Sequence, residues 1–371
     1  MKVYNEKSLV NISNSILKHF GAETFHETIP EIDKYLNGHK KVVAVLFDGM
    51  GQNIVRMHLN DKSFIRSHYV TTINSTFPPT TSAATTSFLT GKYPIENGWL
   101  GWNEYFEEFD SNVILFKNTD YNTGEKLPQI DGVNIANKYF PITMLFNLIK
   151  QYNKKANAYG FFRYPIDPNG PKYLDQGAKQ LKKFLSENEE CFAYFYWDSP
   201  DREMHEYGIK SWKVKNEVHK AQKFLKKVVS QNPDTLFIFL ADHGHVNVKY
   251  LDICDHPDLY ALLRRKLTLE KRTVGMFVKE GQEKQFVKLF NKYYSEYFEL
   301  LSRDDVLKNK VFGNGSPAPG SLGVFGDYIA VAKREYALVA KSELHNPDLF
   351  PGHHAGGTKE ERLIDVSIFN K

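Results

Sequence analysis

The chain has 371 residues, 42% of them hydrophobic and 25% charged, which suits one large α/β domain or two smaller ones and allows a sizeable core. Its net charge of +4, from 48 basic and 44 acidic side chains, is too small to argue for nucleic-acid binding. The two cysteines, Cys191 and Cys254, exclude a disulfide-dense scaffold and a Cys-x-x-Cys metal site, and a reducing, cytoplasmic setting is the simplest expectation.

The first stretch, Met1 to Gly21, lacks an apolar core behind a basic start, so no signal peptide is expected. It reads as an amphipathic helix through Ser8, Leu9, Ile12, Ile16, Leu17 and Phe20. No apolar run approaches the roughly 18 residues that span a bilayer, so no membrane association is expected. Lys41 to Phe47 is apolar without alternation, as in a parallel strand buried on both faces, and it ends in Asp48-Gly49. Ligands gather at the carboxyl ends of such strands.

The stretch from Phe77 to Pro94 packs hydroxyls behind Pro78-Pro79 and ends in Thr90-Gly91-Lys92-Tyr93-Pro94. It predicts a loop entering a helix near Ser82, where the positive helix end favours an anion. A hydroxyl there needs a base or a metal to remove its proton. Gly98 to Asn103 is an aromatic, glycine-containing loop, and residues 104–140 are polar and turn-rich, which predicts surface. Helices are expected over Ile142–Tyr152, Leu174–Asn188 and Val214–Gln231, and strands over Ala156–Phe162, Cys191–Trp197 and Thr235–Ala241. The last two strands run into Asp198-Ser199-Pro200-Asp201 and Asp242-His243-Gly244-His245.

Residues 250–326 break this rhythm, with basic helical segments over Asp258–Arg265 and Glu280–Tyr297 and a glycine- and proline-rich loop at 313–320. They predict an inserted cap within a single 1–371 domain. Strands are expected at Tyr328–Ala332, Tyr336–Ala340 and Leu363–Phe369, with Pro351-Gly352-His353-His354-Ala355-Gly356-Gly357 before the last. The candidate ligands are Asp48, Asp201, His205, Asp242, His243 and His354, carboxylates and imidazoles without thiolates, a set that fits Zn²⁺ with Mn²⁺ or Fe as competitors. Asp201 and His205 are four apart and share one face if helical. Each residue alone has an ordinary explanation: a strand-end Asp as a turn residue, the Thr/Ser cluster as a helix cap, a His-His pair as surface.

Taken together these residues resemble the alkaline phosphatase superfamily, and within it the nucleotide pyrophosphatase/phosphodiesterase branch. The resemblance rests on Asp48-Gly49, the Pro78–Pro94 stretch, Pro200-Asp201 with His205 and Gly208, Asp242-His243-Gly244, and His354 before Gly356-Gly357. It implies a three-layer α/β/α sandwich with a mostly parallel central sheet. It implies two divalent metals, one held by Asp201, His205 and His354, the other by Asp48, Asp242, His243 and the Thr81 oxygen. It implies Thr81, nine positions before Thr90, as nucleophile through a phospho-threonine intermediate. His353 is the runner-up to His354. The branch's phosphoryl-binding Asn aligns with Trp102, so Asn103 is the candidate one step on, and Thr80 replaces a Lys. The implied activity is hydrolysis of phosphodiester or pyrophosphate bonds in a small-molecule phosphate ester, a nucleotide being one such. A phosphomonoesterase or phosphonate hydrolase on the same metals, and a non-catalytic nucleotide- or sugar-binding protein, are the alternatives. The aromatics Trp99, Trp102, Tyr105, Phe161, Phe162 and Tyr164 are candidates to stack a base or sugar, with core packing the competing role for Phe161 and Phe162.

Overall fold

The strands expected from Lys41, Ala156, Cys191, Thr235 and Leu363 join an unexpected one, Tyr69–Asn74, in one six-stranded sheet of the computed structural model, which describes residues 7–343 and 349–370. Its order is Tyr69–Asn74, Leu363–Phe369, Thr235–Leu240, Lys41–Phe47, Cys191–Trp197, Asn157–Phe162. Lys41–Phe47 pairs in parallel with both Cys191–Trp197 and Thr235–Leu240, while Leu363–Phe369 runs antiparallel to its neighbours.

Alternating side chains of Cys191–Trp197 show how the layers form, because successive residues face opposite sides of a sheet. Phe192 meets Phe20 and Phe146, and Tyr194 stacks on Phe88, so the helices Leu9–His19, Thr81–Thr90 and Leu145–Tyr152 cover that face. Phe195 stacks on Phe224 and abuts Gly177, so Trp212–Gln231 and Leu174–Glu187 cover the other. This is the expected three-layer sandwich. No helix among the described residues is long and apolar enough to cross a membrane.

A second, seven-stranded antiparallel sheet has the order Phe298–Ser302, Tyr328–Ala332, Thr273–Met276, Thr268–Leu269, Asn103–Phe106, Ser111–Ile114, Thr119–Asp120. It corrects the expectation that residues 104–140 are surface: Glu104 and Val113 are fully buried, and Asn112 nearly so. Residues 250–326 supply strands to this sheet, alongside strands from 103–120 and 328–332. The helix expected over Asp258–Arg265 is confined to Pro257–Tyr260, because the chain turns there so that Leu263 can bridge Val278.

A fully buried ion pair ties the second sheet to the loop carrying His354. Arg272 donates from Nε and Nη2 to the two Glu361 oxygens at 2.6 and 2.7 Å. Glu361 also accepts from Gly356 N and the Thr358 hydroxyl. Burial pushes the Glu361 carboxyl up, but Arg272 beside it more than offsets this and holds it below the usual range. Removing one member strands the other's charge in a dry interior. Arg272→Met is therefore expected to lose about 3–5 kcal/mol of stability in urea unfolding, and a loss under about 1 kcal/mol would show that the pair is dispensable.

Candidate active site

The parallel register aligns Phe47 with Trp197 and Leu46 with Leu240, so the residues that follow these strands emerge side by side. Asp48 N donates to Trp197 O, and Asp201 N to Asp48 O, which locks the strand exits together. Gly49 N and His243 N both donate to Asp242 Oδ1, aiming its other oxygen away from the backbone. Gly244 allows the close passage of the chain at Glu360, whose carbonyl oxygen would lie 1.9 Å from a Cβ there.

Asp201 and His205 lie in one helix, Asp201–Tyr207, and face the same space as the spacing predicts. Thr81 opens the helix Thr81–Thr90. Its hydroxyl lies 3.3 and 3.4 Å from the two Asp48 oxygens and 3.3 Å from His243 Nε2. His243 Nε2 is also 3.5 Å from Asp242 Oδ2. His354 Nε2 is 3.8 Å from Asp201 Oδ1. The fold thus brings together Asp48, Thr81, Asp201, His205, Asp242, His243 and His354.

Three of the imidazoles share one device. The Nδ1 atoms of His205, His243 and His354 face the carbonyls of Gly352, Gly244 and Pro79 at 3.0, 3.0 and 3.2 Å. A carbonyl only accepts, so each Nδ1 carries a proton and each Nε2 is turned to the cluster. That is how ligating histidines are oriented.

The electrostatics call for a cation. Burial, then the neighbouring Asp242 and Asp201 charges, pushes the Asp48 carboxyl well above its ordinary range. Burial likewise raises Asp242. Burial opposes ionisation of Asp201 too, but the imidazoles around it, His205 first, pull it below the usual carboxylate range. Burial, then the neighbouring imidazoles, drives His354 well below the ordinary imidazole value, so it is neutral. Asp201 Oδ1 and Asp242 Oδ2 are buried without a hydrogen-bond partner. Ligand atoms of Asp48, Asp201 and His243 lie within 4.8 Å of one another, as do those of Asp201, His205, His245 and His354. Carboxylates, neutral imidazoles and orphaned oxygens fit divalent cations.

His245 was not among the sequence candidates, although its place two residues after His243 was a usable signal. Tyr196, whose hydroxyl donates to Asp48 Oδ2, was also missed. His353 is buried with both ring nitrogens unpartnered, yet it contributes no atom to either ligand group. Asn103 is bound into the second sheet, its amide donating to Leu269 O at 2.9 Å and its oxygen facing the Thr268 hydroxyl. Trp99 and Phe161 are core residues, and Phe162 packs against Tyr194 and Tyr196. Trp102 packs edge-on against Phe116, Tyr105 against Phe277, and Tyr164 is exposed beside Lys172.

Glu270 is a further arrival from the second sheet. One oxygen accepts from the Thr80 hydroxyl at 2.6 Å and from Trp102 N at 2.8 Å. Burial pushes its carboxyl from 4.5 up to about 7. The unfolded chain loses this proton near 4.5 and the folded chain near 7, so folding holds an extra proton between them. Stability from this group therefore falls as pH rises through that window, by up to about 3 kcal/mol, and is flat above it. Glu270→Gln should erase the slope: relative to wild type, the metal-stripped variant gains up to about 3 kcal/mol between pH 5 and 8. Parallel pH–stability curves would contradict the assignment.

Solved structures share this arrangement of elements. Murine ectonucleotide pyrophosphatase/phosphodiesterase 5 matches at TM-score 0.66 and 14% identity, over 89% of this chain and 88% of that one. An inactive variant of it in complex with AMP matches at 0.65 and 13%, over the same shares. The human protein matches at 0.64 and 15%, again over 89% and 88%. At identities this low the likeness shows the fold alone. No curated protein matches the chain. The family described as type I phosphodiesterase/nucleotide pyrophosphatase matches residues 42–357, from the first sheet strand to the loop after His354. The chain belongs to the type I phosphodiesterase/nucleotide pyrophosphatase family and is a phosphoric ester hydrolase.

Proposed function

We propose that the chain hydrolyses phosphodiester or pyrophosphate bonds of small molecules, nucleotides among them, with Thr81 as nucleophile. The observation that carries this reading is the Thr81 hydroxyl, at the first turn of a helix and 3.3–3.4 Å from Asp48 and His243. AMP in the murine relative supports a nucleotide as substrate.

Asp48, Asp242, His243 and Thr81 would hold one divalent ion and Asp201, His205 and His354 a second, Zn²⁺ being the simplest occupant of this donor set and Mn²⁺ or Fe the competitors. Bound there, the ions supply Lewis-acid charge that lowers the hydroxyl pKa and offsets charge on the attacking and leaving oxygens. Thr81 Oγ1 gives up its proton to water and bonds to phosphorus as the bond from phosphorus to the leaving oxygen breaks, and that oxygen takes a proton from water; the product is a phospho-threonine that keeps the substrate's other ester group. Water then attacks phosphorus, the bond to Thr81 Oγ1 breaks, and one water proton restores the hydroxyl as the phosphate product leaves. The backbone N–H groups of Ser82 and Ala83, in the first turn of the helix, would hold a phosphoryl oxygen. Asn103 can serve that oxygen only by giving up its bond to Leu269 O. The 250–326 segment acts as a cap in this reading, and Glu270 is its contact with the nucleophile loop.

Thr81→Ala is expected to lower turnover at least about 1,000-fold while elemental analysis still finds both metals. Retained activity in that variant sinks the nucleophile. Asp242→Asn should lose metal together with rate. Bis-p-nitrophenyl phosphate should turn over faster than p-nitrophenyl phosphate, and the reverse order would favour a monoesterase.

A further inference from the structure

We infer that His245 is a fourth protein ligand at the Asp201, His205 and His354 position, which makes that position a set of three imidazoles and one carboxylate. The inference rests on the two-metal reading above and adds a ligand that this reading does not use.

The geometry is specific. Each of the four residues offers one ligand atom, and these atoms all lie within 4.8 Å of one another. His245 is fully buried, its ring 4.7 Å from that of His205 and 5.3 Å from that of His354, centroid to centroid. It stands further from His243, at 6.4 Å, which assigns it to the Asp201 side. Its Nε2 is 3.2 Å from Asp201 Oδ1, so the ring sits directly against the carboxylate of the same group.

The backbone places the ring there. Asn53 Nδ2 donates to His245 O at 2.7 Å. Gly352 leaves room for the ring: a Cβ at that position would lie 3.0 Å from His245 Cε1 and 2.2 Å from Met204 O. Unlike the other three imidazoles, His245 meets no carbonyl with Nδ1, so the fold consumes neither of its nitrogens. His353 supplies the contrast. It too is buried with both nitrogens unpartnered and lies 5.0 Å from the His205 ring, but it gives no atom to the group. Burial without a partner therefore does not by itself select a ligand here.

The consequence concerns the ion. Four protein donors fill a tetrahedron, the geometry of closed zinc sites. A position that must also meet a substrate oxygen then needs an ion that accepts a fifth donor, which Mn²⁺ and Fe²⁺ take readily and Zn²⁺ takes only by expanding from four to five.

The test is X-ray absorption on the metal-stripped full chain reloaded with Co²⁺. Four imidazoles shared over two bound ions are expected, falling to three in His245→Met. Mn²⁺ titration against a chromophoric chelator should show one of two binding steps weakened more than about 10-fold in that variant and the other unchanged. Three imidazoles over two ions in wild type overturns this inference alone, and needs no variant to fold. A wild-type chain that binds no divalent ion overturns both this inference and the two-metal reading.

Discussion

Three carboxylates, Asp48, Asp201 and Asp242, follow the ends of three neighbouring parallel strands and meet in a largely buried space. Like charges this close in a low-dielectric setting cannot all ionise without compensation. The raised Asp48 and Asp242 carboxyls record that conflict, and the orphaned Asp201 and Asp242 oxygens show where its relief must sit. Burial keeps His245 and His354 neutral, so these two rings add no positive charge. Divalent cations can supply it, and the Nδ1-to-carbonyl bonds of His205, His243 and His354 leave the ring atoms that bind them turned inward.

The second sheet does structural work for this cluster. Thr273 Oγ1 donates to Ala355 O, and Ala355, at φ +80°, donates its N–H to Pro79 O. A residue with a Cβ holds that left-handed conformation only where its surroundings fix it. Here they include the Arg272–Glu361 pair one residue further along. The same stretch of chain thus sets the His354 ring and, through Pro79 and Glu270, the loop in front of Thr81. The site is built on one sheet and braced by the other.

What the sequence made legible follows from burial. Lys41–Phe47 and Cys191–Trp197 are covered on both faces, so they appear as apolar runs with sharp ends, and the Asp residues after them stood out. The hydroxyl stretch and the Asp201–His205 spacing were legible for the same local reasons. The second sheet was not. Its Thr268–Leu269 strand is two residues long, and Asn103 and Glu104 are polar residues buried by pairings to partners more than 100 positions away or by local backbone donors. Glu270 has no local pattern at all, because its role comes from a contact 190 residues distant with Thr80. Asn103 was chosen by alignment along the chain, and the fold spends its amide on Leu269 instead.

Anomalous diffraction from crystals grown with Mn²⁺ or Zn²⁺ tests the central claim most directly. The account predicts two peaks about 4 Å apart, one among Asp201, His205 and His354, the other among Asp48, Asp242 and His243 beside the Thr81 oxygen. No peak at saturating metal, or peaks only outside the strand ends, would contradict it.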